Sequence, residues 1–126
     1  MKRSIASFIL FLILIFTLVN YSSKLNTTCK SFMNQCNELE ELVSSQSWEK
    51  AYGKSLELFN DWQDNNFVIS MVTNHSEIDN INIELWKLTQ YVKCESEDES
   101  LASIHAVKFL LEHIMQMEKI NIKNIV

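Results

Sequence analysis

Four residues of this 126-residue chain carry side chains that could do chemistry together: Cys36, Ser55, His75 and Glu118. A thiol or hydroxyl, an imidazole and a carboxylate are the nucleophile, base and orienting group of acyl transfer. His75 and Asp79 stand four apart, a spacing that sets two metal ligands on one helical face, and Glu118 would complete a three-donor set. Acyl transfer also needs backbone amides for a developing oxyanion. The chain has one glycine, Gly53, and no proline, so glycine loops that could present such amides are absent. We therefore assign no catalytic residue, no metal and no cofactor. The four residues are expected to form a structural polar layer, in which a buried His75–Glu118 hydrogen bond fixes helix register.

That layer depends on the elements that carry it. Leu25, Cys29, Phe32, Cys36, Leu39 and Val43 step by four and three, a heptad seam that predicts a helix over 24–44. Ser44-Ser45-Gln46-Ser47 reads as a turn ending in an N-cap. A helix over 48–62 follows, with Trp48, Tyr52, Ser55, Phe59 and Trp62 as its inward stripe. Asp64-Asn65-Asn66 punctuates the pattern, and a third helix is predicted over 67–93. Its seam is Phe67, Met71, Ile78, Ile81, Leu85, Leu88 and Val92, with His75, Asn82 and Thr89 set into the same face. Glu95, Glu97, Asp98 and Glu99 lead into a fourth helix over 100–119, where Ser96-x-x-Glu99 reads as a capping box. Leu101, Ile104, Val107, Leu111 and Ile114 face inward there. Short connections make the segments antiparallel neighbours. With turns centred near 46, 64–65 and 96–97, Ser55 falls level with Asn37, His75 and Glu118.

Ahead of these segments stands a different kind of sequence. Met1-Lys2-Arg3 precedes an apolar run from Ile5 to Val19, broken only by Ala6, Ser7 and Thr17. The exit, Leu18-Val19-Asn20-Tyr21-Ser22-Ser23, lacks the small-residue pattern of a signal-peptide cleavage site. Cys29 lies too far behind for a lipoprotein site. Ile5 to Tyr21 spans about 26 Å as a helix, somewhat short of a bilayer core of ~30 Å. Lys2 and Arg3 favour a cytoplasmic N-terminus, and Tyr21 suits the interface. The reading is an uncleaved single-pass anchor over 1–23 and an extracytoplasmic helical bundle domain over 24–126, with no breaker between them.

Composition narrows the function classes. The formal charge is −5, and removing Lys2 and Arg3, two positive charges, leaves −7 for the rest. Such a domain repels phosphate backbones and anionic headgroups. Arg3 is the only arginine, so the bidentate donor for phosphate is missing beyond it. No nucleic-acid partner is expected. Cys29 and Cys36, seven apart on one helix, have Cα atoms about 10 Å apart, beyond the ~7 Å limit of a disulfide. All three cysteines are read as small core residues, with Cys94 the free thiol. His105 and His113 point off the apolar stripe and are read as surface residues. Gly53-Lys54-Ser55 has the tail of a phosphate loop, but Trp48 stands where its first glycine belongs and no strand precedes it.

His75-Ser76-Glu77-Ile78-Asp79-Asn80-Ile81, the tryptophans of 48–62 and Asn124-Ile125-Val126 resemble a family of small membrane-anchored Firmicute proteins, domain of unknown function 4363. The resemblance covers nearly the whole chain, anchor included. The family ends more often in Asn-Ile-Phe, where Val126 stands here. The resemblance implies a bacterial, extracytoplasmic helical domain with a membrane protein as partner, and it implies no activity. The expected fold is all-α: an N-terminal transmembrane helix followed by an antiparallel bundle of four helical segments. The expected role is an interaction or scaffold module that acts with a membrane partner and is not an enzyme. The alternative is a metal or small-ligand sensor built on His75 and Glu118.

Overall fold

The computed structural model describes residues 1–125; Val126, and with it the departure from Asn-Ile-Phe, lies outside them. The described residues form five helices and no strand: α1 (Lys2–Ser44), α2 (Trp48–Asn65), α3 (Phe67–Ser70), α4 (His75–Lys93) and α5 (Glu97–Ile125). The all-α expectation holds. α1 packs on α2 and α5, α4 packs on the same two helices, and α3 lies against α1. The four long helices thus close a ring of antiparallel neighbours.

α1 is one unbroken helix of 43 residues. No glycine, proline or capping residue interrupts it, so the apolar run and the heptad seam share one axis. Its first part is long and apolar enough to cross a membrane, and none of that stretch is buried in the protein. The second part buries Leu25, Cys29, Phe32, Cys36, Leu39 and Val43, the whole predicted seam. Burying the larger of these side chains stabilises the bundle by about 1.5–3 kcal/mol each. Gln46 takes a positive φ of 59° to turn the chain into α2. Ser47 occupies the N-cap position, but its side chain makes no cap bond and instead shares a 3.0 Å hydrogen bond with Ser45.

α2 is rotated from the expected stripe. Its buried residues are Ala51, Ser55, Leu58 and Trp62, while Trp48, Tyr52 and Phe59 are half-buried. The rings of Trp48, Tyr52 and Phe59 lie at the edges of the interface, and Ala51, Ser55, Leu58 and Trp62 fill its centre. Trp62 meets Phe32 edge-on, with ring centroids 5.2 Å apart.

The predicted helix over 67–93 is broken. α3 is a single turn, and α4 begins only at His75. Asn74 caps α4: its Oδ1 accepts the Glu77 backbone N–H at 3.0 Å and the Ser76 hydroxyl at 2.7 Å. A capped start at 74 competes with helix continuation, which is why the run stops there. Phe67 and Met71 consequently leave the seam and are 71% and 62% exposed, while Ile69 is fully buried in their place. From Ile78 onward the expected seam holds, with Ile78, Ile81, Leu85, Leu88 and Val92 buried. α5 starts earlier and ends later than expected, with Glu97, Asp98 and Glu99 in its first turn. Ile104, Val107, Leu111 and Ile114 are buried as predicted, and Leu101 packs partly buried at the edge.

Candidate functional site

The expected polar layer does not assemble. Cys36 and Ser55 are buried, but His75 is exposed at the start of α4 and Glu118 is half-buried near the far end of α5. The reason is register. The α2–α4 connection is α3 plus a turn rather than a tight Asn-rich corner. Trp62 donates from Nε1 to Asn82 Oδ1 at 2.6 Å, and Phe59 lies against Trp86 at 5.9 Å. The same pairing sets Ser55 level with Thr89, not with His75.

Three of the buried hydroxyls are already engaged in hydrogen bonds. Ser55 Oγ donates to the Tyr52 carbonyl at 2.7 Å and Thr89 Oγ1 to the Trp86 carbonyl at 2.6 Å. Ser103 donates to Glu84 at 3.0 Å. Burial pushes the Cys29 thiol up to about 11 and the Cys36 thiol up to about 12, so neither supplies a thiolate at neutral pH. Cys94, read from sequence as a core residue, is exposed at the C-cap of α4, and all three cysteines are free.

Polar groups do converge at the other end of the bundle. Val72, Thr73, Asn74, Glu77, Ile114, Met117 and Glu118 enclose a cavity of about 130 Å³. Thr73 Oγ1 is buried without a hydrogen-bond partner. Glu77 lies 3.5 Å from His113 Nε2 across the α4–α5 interface. Burial raises the Glu118 carboxyl above its ordinary value. A second, smaller cavity of about 80 Å³ joins Glu118 and Lys119 to Ser22, Leu25 and Asn26 of α1. Glu118 therefore stands where α1, α4 and α5 meet.

Of the three metal candidates, only Glu118 lines this site; His75 and Asp79 are both exposed. Among the described residues, no three His, Cys, Asp or Glu side chains stand close enough to hold a metal ion. Sequence reasoning missed Glu77. The signal was present as Asn74-x-x-Glu77, a capping pattern that both breaks the helix and places a carboxylate three residues in. His105 and His113 are surface residues as read, yet each pairs across helices, His105 Nε2 lying 2.6 Å from Glu40 Oε1.

A second feature lies on the flank. Ile83 and Phe109 face each other across a shallow groove of about 320 Å³ between α4 and α5, with Asn80, Glu84, Ala106 and Leu110. Trp86 extends the apolar surface toward Phe59. Ile83, Trp86 and Phe109 are 56%, 55% and 68% exposed, so the strip lies outside the core.

A helical ring carried on a long helix with an apolar first part, and an exposed apolar strip on its flank, define the class. The chain belongs to the family described as Domain of unknown function (DUF4363), whose model matches residues 19–125. No curated protein and no solved structure matches it.

Proposed function

We propose that this chain is a membrane-anchored interaction module that docks a protein held in the same membrane. The apolar part of α1 spans the bilayer, Lys2 and Arg3 hold its N-terminus in the cytoplasm, and the bundle lies outside the cell of a Firmicute. The unbroken α1 supports an uncleaved anchor, because a signal peptidase needs a non-helical stretch that is missing around residues 18–29. The engaged hydroxyls and raised thiols support a role without catalysis.

One observation carries the reading: the Trp86–Ile83–Phe109 strip is exposed on the flank of the bundle, apart from the exposed apolar residues at its base. Contiguous apolar surface rimmed by polar residues is how interaction sites look, and aromatic anchors supply most of the energy at such sites. Tethering confines partners to the membrane plane and raises their effective concentration. The flank of the bundle faces that plane sideways.

The test is photo-crosslinking in native membranes from residue analogues at Ile83 and Phe109, with Lys50 on the opposite side as control. A membrane protein crosslinked from 83 and 109 but not from 50, and lost in a Trp86→Asp chain, supports the module. Equal or absent crosslinking at all three positions overturns it. Labelling of exposed Cys94 by an impermeant maleimide on intact cells checks the orientation.

A further inference from the structure

We infer that the base of the bundle is itself a lipid-docking surface, seated in the bilayer interface through Phe67, Met71, Ile120 and Ile122. This rests on the anchor reading above.

The first argument is level. The Tyr21 hydroxyl donates to the Val68 carbonyl, which fixes α3 beside the end of the apolar run. Ser22 and Asn26 share a cavity with Glu118 and Lys119, which fixes the α5 level at the same height. Beyond Lys119, α5 continues to Ile125. Those six further residues add about 9 Å of helix. α5 runs antiparallel to α1, so this tail descends beside the apolar run itself, past the point where the bilayer begins.

The second argument is chemistry. Phe67 is 71%, Met71 62%, Ile120 52% and Ile122 38% exposed. These side chains sit on two different elements, α5 and the α2–α4 connection, yet they gather at one height. Lys119 and Lys123 are exposed on the same tail. Interleaved apolar and lysine side chains at one level match an interface, where the apolar groups enter the acyl boundary and lysines reach lipid phosphates.

The third argument is length. The apolar run from Ile5 to Tyr21 covers about 26 Å against a hydrocarbon core of ~30 Å. A short span is met by thinning of the bilayer around it, which brings the interface closer to the structure that flanks the span. The flanking structure here is the apolar base, so mismatch and docking act in the same direction.

Spin labels on the full-length chain in lipid nanodiscs test this. Cys94 is exposed near the far end of the bundle and serves as the water reference; Cys29 and Cys36 are buried and stay unlabelled. In a Cys94→Ser background, labels are placed by Phe67→Cys, Ile120→Cys and, within the anchor, Leu12→Cys. Oxygen partitions into lipid and a nickel chelate into water, so the ratio of their collision rates reads depth. The expected order is 12 deepest, then 67 and 120 on the lipid side of the interface, then 94 in water. Labels at 67 and 120 as nickel-accessible as 94, with 12 in lipid, overturn the docking surface and leave the anchor standing. A label at 12 in water overturns the anchor and the docking surface together.

Discussion

Trp62 and Asn82 are joined by a 2.6 Å hydrogen bond from the indole Nε1 to the side-chain Oδ1, and this contact sets the register of α2 against α4. Trp62 is only 1% exposed, so its N–H has no ready access to water. Asn82 also accepts from Gln63 Nε2 at 3.1 Å. Asn82→Ala is expected to lower stability by about 1–3 kcal/mol, the cost of leaving a buried donor unpaired. Urea denaturation of the full chain in detergent measures it. A loss below about 0.5 kcal/mol, the range of an ordinary surface change, would show that the indole does not depend on this partner.

The same contact shows where the sequence was legible. The 24–44 seam is buried at all six positions because α1 is continuous and its pattern has one period. The region 67–78 carries apolar residues that keep a helical period across a break, so Phe67, Met71 and Ile78 looked like one seam. Only the Asn74 cap and the buried Ile69 distinguish the two cases, and a local cap outweighed periodicity. On α2, side-chain size misled: Trp48 and Tyr52 drew the stripe toward themselves, while the buried face runs through Ala51, Ser55, Leu58 and Trp62. The candidate layer failed for the first of these reasons, since every level beyond α2 shifted with the break.

Thiol reactivity separates the three cysteines. Cys29 and Cys36 are fully buried, and burial raises their thiols to about 11 and about 12. Cys94 is exposed at the end of α4. At pH 8 a disulfide reagent is expected to titrate one thiol per native chain quickly and the other two only on unfolding, because thiolate fraction and access both control the rate. Fast modification of two or three thiols in the folded chain refutes the burial of the α1 seam.

Ser100 is fully buried, and its hydroxyl has no hydrogen-bond partner. Ser100→Ala removes a desolvated polar atom and keeps the methylene in place. The expected result is unchanged or increased stability, by up to about 1 kcal/mol, together with the higher helix propensity of alanine. Thermal unfolding of the two chains side by side measures it; a clear loss would place a partner on that hydroxyl.

Two carboxylates move the acid limb of stability in opposite directions. The hydrogen bond with His105 holds the Glu40 carboxyl below its ordinary 4.5, helped by Lys108 and opposed by burial. Its folded-state pKa is therefore depressed. That contribution is present above pH 4.5 and disappears as pH falls through the folded value. Glu118 is the reverse case: burial raises its carboxyl above 4.5, so its contribution is complete below 4.5 and is lost as pH rises through the folded value. Glu40→Gln is expected to cost about 0.2–1 kcal/mol at pH 7, typical of a partly exposed pair, and nothing at pH 3. Glu118→Gln is expected to stabilise the chain at pH 7 and to match the parent at pH 3. Urea midpoints taken between pH 3 and pH 7 on the three chains give the signs directly. Parallel pH curves for parent and Glu118→Gln would show that the junction of α1, α4 and α5 leaves this carboxylate fully hydrated.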